Sequence, residues 1–155
     1  MQLTLYTDYA LRTLIYLAAR PERVIPVSEI SAAFGVSQHH LAKVAKDLTR
    51  AGYVASRRGR EGGLTLARPA AAIGVAEVVR ALASHDLLEC FDRQHSQCRL
   101  TGHCRLERAL HEARAAFFAV LEGYTLADLA ENAPQLLRLL SKGQRAAARG
   151  AAQPR

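Results

Sequence analysis

The sequence lacks most of what secretion or catalysis requires. Only three of its 155 residues are cysteine, an odd count that leaves one thiol over in any disulfide scheme. No apolar run reaches the roughly 18 residues of a membrane span. The opening MQLTLYTDYALRTLIYLAAR carries Asp8 and Arg12 among its apolar positions, so it reads as neither a signal peptide nor a span. A reducing cytoplasm is the compartment these features imply. No Ser-His-Asp order, phosphate-cradling glycine loop or paired carboxylates are present, and the chain reads as a non-enzyme. Acids are missing altogether from residues 132–155, which hold five Lys or Arg.

Half of the residues are hydrophobic, enough for one proper core in a soluble chain. The net charge of +7 is unevenly placed. Residues 1–68 carry ten basic and five acidic side chains, whereas residues 69–131 carry six and nine. A basic N-terminal module ahead of an acidic middle points to a polyanion such as nucleic acid. Charge alone does not separate that from a merely soluble basic surface.

The order of elements goes further. Residues 2–20 have Leu3, Ala10, Leu11, Leu14, Leu17 and Ala18 at helical spacing, closed by Arg20-Pro21. A short helix from Val27 to Phe34 ends at Gly35, and Ser37 then caps a second helix from Gln38 to about Ala51. Its inward stripe is Leu41, Val44, Ala45 and Leu48. Two such helices joined by a Gly-containing turn match a helix-turn-helix. Opposite the stripe lie Ser37, Gln38, His39, His40, Lys43 and Lys46, side chains able to reach base edges in a major groove, with only Asp47 interrupting them. Strands over residues 52–56 and 64–67 flank a tip holding Arg57, Arg58 and Arg60, so the hairpin reads as a wing against phosphates or in a minor groove.

After Pro69, a helix over about Val75–Ala83 leads to CFDRQHSQCRLTGHC, residues 90–104, which holds every cysteine at spacing C-x7-C-x5-C. Three thiols in one polar loop suggest a metal, because closing so short a loop costs little entropy once one thiolate is bound. From Arg105 a longer helix places Leu106, Leu110, Ala113, Phe117 and Val120 at alternating steps of four and three, the seam of a coiled pair. That face fits a homodimer, and packing onto its own domain is the alternative. Thr125 to Ala130 reads as a short capped helix.

The opening YTDYALRTLIYLA, the SxxHLxKVxxxLxxAG of the second helix, the wing ending GGLTLARP and the cysteine loop together resemble the iron-sulfur winged-helix repressors that include NsrR and IscR. The likeness spans about residues 1–130. It implies a mostly α fold with a small β-hairpin: a winged helix-turn-helix over 1–83, a cluster-binding loop over 84–104, a dimerisation helix and short helix over 105–131, and a basic, partly disordered tail over 132–155. It implies that Cys90, Cys98 and Cys104 ligate an iron-sulfur cluster. The seven-residue first gap, and Glu107 where IscR-like members have a histidine, favour the NsrR-like branch. There the resemblance implies a 4Fe-4S cluster, Asp8 of the other subunit as fourth ligand, Arg12 orienting it, and nitric oxide as the signal that releases the homodimer from operator DNA. A 2Fe-2S cluster sensing iron-sulfur or redox status, and a structural zinc site completed by His95, His103 or His111, are the alternatives.

Overall fold

The computed structural model describes residues 3–59, 61–82, 88–92 and 94–141. The first helix, α1, runs Leu5–Ala18 and starts where the Thr4 hydroxyl accepts from the Thr7 amide at 3.2 Å. Leu3 therefore precedes the helix and is exposed, whereas the periodicity places it on the apolar face. Helix α2 spans Val27–Phe34 and stops at Gly35, whose φ of +65° is a left-handed cap that a glycine adopts without strain. Helix α3 spans Gln38–Arg50, with the Ser37 hydroxyl accepting from the His39 amide at 3.2 Å. Its expected stripe, Leu41, Val44, Ala45 and Leu48, is buried in full.

Strands β1 (Val54–Arg57) and β2 (Gly63–Leu66) pair antiparallel, with Val54 opposite Leu66 and Arg57 opposite Gly63. A third rung comes from before α2: the Ile25 amide donates to the Leu64 carbonyl at 2.9 Å and the Leu64 amide to the Ile25 carbonyl at 2.8 Å. This two-bond tie seats the hairpin on the helices. Helix α4 spans Val75–Leu82 and α5 spans Arg105–Glu122, with the 3-10 turn Glu89–Phe91 in the segment between them. Helix α6, Leu126–Leu129, opens on a capping box of Thr125 and Asp128. It is pinned beside α4 by Val75 donating to the Tyr124 carbonyl and Leu126 to that of Ile73.

One core joins these elements. Ala10, Leu14 and Leu17 of α1 meet Ile30, Leu41, Val44, Leu48, Val54, Leu64, Ile73, Val78 and Leu126. A second, smaller cluster packs Phe118 of α5 on Ala76 and Val79 of α4, with Leu11 of α1 at its edge. Burying each large apolar side chain stabilises the fold by about 1.5–3 kcal/mol. Residues 133–141 are helical, and Leu137 and Leu140 pack against the main core, so the early part of the expected tail belongs to the fold. The rest of that tail, residues 142–155, lies outside the described residues. No helix among the described residues is long and apolar enough to cross a membrane.

Candidate functional site

Ser37, Gln38, His39, His40 and Lys43 all lie exposed at the head of α3, on the side away from the core. Ser37 is occupied as the helix cap, whereas the other four project from the first turn and a half. Arg57 and Arg58 are exposed on the wing; Arg60, the third arginine assigned to its tip, lies outside the described residues. Helix and wing adjoin across a cleft of about 460 Å³ lined by Lys46, Thr49, Ser56 and Arg58 over an apolar floor of Val27, Ala45 and Leu64. Two cations at the mouth of an open groove beside an exposed polar helix form a surface suited to a phosphate backbone running past a base-reading element. Ser56 was missed in the sequence because one serine on a strand carries no signal of its own.

The cysteine loop is built at the head of α5. Cys104 is the N-cap residue of that helix and half-buried, Cys98 is exposed, and Cys90 is buried on the turn Glu89–Phe91. That turn is fastened by Phe91, whose ring stacks on His111 at 4.1 Å and 12° while the Arg114 guanidinium lies 4.7 Å from the ring centre. Between the cysteines, the Thr101 hydroxyl donates to the Cys98 carbonyl at 2.8 Å and meets the Ser96 hydroxyl at 3.1 Å. Gly102, at φ +85°, then donates its amide at 2.8 Å to the buried Glu107 carboxylate. The roles of Phe91, His111 and Glu107 in shaping the loop were not read from the sequence. They depend on which faces of α5 turn inward.

None of the three cysteines is in a disulfide. Burial, and then the neighbouring Glu107 carboxylate, push the Cys90 thiol above its ordinary value, with Cys98 and Cys104 adding smaller contributions in the same direction. Three soft sulfur donors thus share one electrostatic neighbourhood with a buried carboxylate. A positively charged iron-sulfur core would reverse that penalty, so the donor chemistry fits such a group. Among the described residues, no three His, Cys, Asp or Glu side chains converge to hold a metal ion. The histidines considered for zinc are otherwise engaged in part: His95 Nδ1 lies 2.7 Å from Asp92 and His111 is stacked on Phe91, while His103 is exposed. Asp8, in the first turn of α1, is paired with Arg12 at 2.8 Å, the ion pair that their spacing of four predicts. It is not gathered with the cysteines of its own chain.

On α5, the seam residues Leu106 and Val120 are 57% and 63% exposed, Ala113 is exposed, and Leu110 and Phe117 are half-buried. The helix meets its own domain chiefly through Phe118, one position off the seam, which leaves much of the seam facing outward.

Comparison with known proteins agrees with this architecture. The fold is similar to that of T. potens IscR, at TM-score 0.69 and 23% identity, covering 86% of this chain and 88% of that one. The structure of CymR, the global cysteine regulator of B. subtilis, gives TM-score 0.68 at 27% identity, covering 85% and 98%. Staphylococcus aureus CymR gives 0.66 at 26%, covering 83% and 97%. The model of the Rrf2 family, described as iron-dependent transcriptional regulators, matches residues 3–132, and the chain belongs to this family of transcriptional regulators.

Proposed function

We propose that this protein is a nitric oxide-responsive repressor that binds double-stranded operator DNA as a homodimer through α3 and the wing. The observation that carries the reading is the loop: three cysteines outside any disulfide, one of them buried beside a carboxylate, at the head of a helix whose apolar seam is turned outward. Cys90, Cys98 and Cys104 would hold a 4Fe-4S cluster, with Asp8 supplied by the second copy. Bound there, the cluster supplies an iron carrying a hard oxygen ligand in place of a thiolate, the position open to attack by nitric oxide. The chain's own residues do the rest. Arg12 fixes the Asp8 carboxylate, while Phe91, in contact with His111 and Arg114, holds Cys90 against α5. Leu106, Leu110, Phe117 and Val120 pair the two copies. Linking the loop of one subunit to α1 of the other sets the separation of the two α3 helices, which must match half-sites about one DNA turn apart. A difference in DNA affinity between the linked and unlinked dimers is what makes the protein a switch.

Anaerobic purification followed by iron analysis, visible absorption near 400 nm and nitric oxide titration in a DNA-binding assay tests this. Brown, iron-loaded protein that releases DNA on titration is the expected result. Colourless or zinc-loaded protein sinks the cluster assignment. Iron-free protein that binds DNA undiminished would instead favour regulation of the kind named for the cysteine regulator of B. subtilis.

A further inference from the structure

The only acid on α3 is Asp47, which interrupts an otherwise cationic and polar face. Its carboxylate does not face open solvent alone. The Tyr6 hydroxyl, 41 residues away on α1, donates to Asp47 Oδ2 in a short hydrogen bond and lies 3.5 Å from the Lys43 carbonyl. Arg50 holds the other carboxylate oxygen at 2.8 Å. The Lys43 ammonium in turn lies 5.9 Å from the centre of the Tyr6 ring. One turn further along α1, the Tyr9 ring stacks on His40, with centroids 6.5 Å apart and planes 22° apart. Both tyrosines are half-buried, and they flank Asp8 in the sequence.

From this geometry we infer that Tyr6 and Tyr9 are positioning residues that set the sequence preference of the reading helix. They orient Lys43 and His40, and Tyr6 tethers α3 through the Asp47 carboxylate. The inference rests on α3 being the DNA-reading element, and on nothing about the cluster. Lys and His are flexible or rotatable side chains, and a base contact made by a donor already held in place loses less of its energy to ordering when the groove is entered. Tyr6 supplies that fixation twice, by its ring beneath Lys43 and by its hydroxyl on Asp47. Tyr9 supplies it once, by packing near-parallel beside the His40 imidazole. Apart from the Lys43 ammonium over the Tyr6 ring, which a Tyr6→Phe change leaves in place, these interactions use no group that phosphates would need, so removing them bears on discrimination rather than on the charge that draws DNA in.

The test selects a preferred duplex from a random-sequence pool with the full-length protein purified anaerobically. The affinity of each variant is then measured for that duplex and for an unselected duplex of equal length. Tyr6→Phe keeps the ring and removes only the hydroxyl that bonds Asp47. It should lower affinity for the selected duplex about tenfold, the scale of one mismatched base pair, and leave the unselected duplex and the salt slope unchanged. Tyr9→Leu should act likewise, with Tyr9→Phe restoring the wild-type ratio. Tyr6→Phe combined with Asp47→Asn should lose no more than the worse single variant. A parallel fall on both duplexes, or additive effects in the double variant, would overturn the inference while leaving α3 as the reading helix. Wild-type protein that selects no duplex at all would overturn both.

Discussion

The tie between the wing and the helices makes Gly63→Ala an informative perturbation. A Cβ built at residue 63 falls 2.5 Å from the Ile25 carbonyl oxygen, 2.6 Å from its carbon and 2.9 Å from the Pro26 nitrogen. All three neighbours are backbone, so no side chain can swing aside, and β2 must lift away from residue 25. The casualties are the two hydrogen bonds between Ile25 and Leu64, at 2.9 and 2.8 Å. Each contributes about 0.5–1.5 kcal/mol, so breaking the pair costs about 2 kcal/mol. At about 2–4 °C per kcal/mol for a chain of this size, thermal unfolding followed by circular dichroism should come about 4–8 °C earlier. Arg57 and Arg58 ride on the lifted hairpin, so the same variant should bind duplex DNA more weakly. Its plot of log affinity against log salt should flatten by about 0.9 for each phosphate that the displaced arginines no longer neutralise. A melting point within about 1 °C of wild type, with an unchanged salt slope, refutes the reasoning: the hairpin would then neither depend on that tie nor present its arginines through it.

Three further outcomes follow from described geometry. Arg58→Ala, at the mouth of the cleft between α3 and the wing, should weaken all duplexes alike and lower the salt slope by about 0.9, read by fluorescence anisotropy at several ionic strengths. Gln38→Ala should instead leave the slope intact and relax preference at one base position by about 1–3 kcal/mol, measured on a panel of single-base variants of the selected duplex. The stability cost of Tyr6→Phe should depend on pH at both extremes. Burial, then the bond to Asp47, raises Tyr6 from 10.0 to about 12, so its linked contribution is full below pH 10.0 and is lost as pH rises toward 12. The Tyr6 hydroxyl foremost holds Asp47 below its ordinary 3.8, so that contribution is full above pH 3.8 and is lost in stronger acid. Denaturation of both proteins from pH 3 to 12 should show a plateau in the difference between the two limits. A difference that changes near neutrality would contradict it.

The elements legible in the sequence were those whose signals are local. Helix α3 announced itself through the Ser37 cap and the spacing of Leu41, Val44, Ala45 and Leu48, and α6 through Thr125 followed by Asp128. Gly35 marked its own turn, since glycine adopts the left-handed conformation found there without strain. What stayed hidden was tertiary. Ile25 pairs with Leu64 across 39 residues as a single rung, too short to carry strand periodicity. The helix at 133–141 begins beside Pro134 and runs toward an Ala-rich, basic sequence, so its two core-packing leucines, Leu137 and Leu140, did not stand out. At the loop, the residue types were readable but their settings were not. Cys90 is buried and Cys98 exposed, and the Phe91–His111 stack next to Cys90 is an approach no spacing rule encodes. Asp47 was visible only as an exception within a basic face, and the structure supplies its partner.

Helix α1 has a consequence for how this chain tolerates change. Its fourteen residues are shared out by direction: Ala10, Leu14 and Leu17 to the main core, Leu11 to the Phe118 cluster, Tyr6 and Tyr9 to α3, and Asp8 with Arg12 to the outer surface. An ordinary surface helix keeps a solvent side on which substitutions drift freely. Here that side is narrow, formed by the Asp8–Arg12 pair and by Leu5, 70% exposed at the first turn. In a saturation library this helix should therefore read as a nearly unbroken block of intolerant positions, denser than α3 of similar length, whose outward residues Gln38, His39, His40 and Lys43 are all exposed.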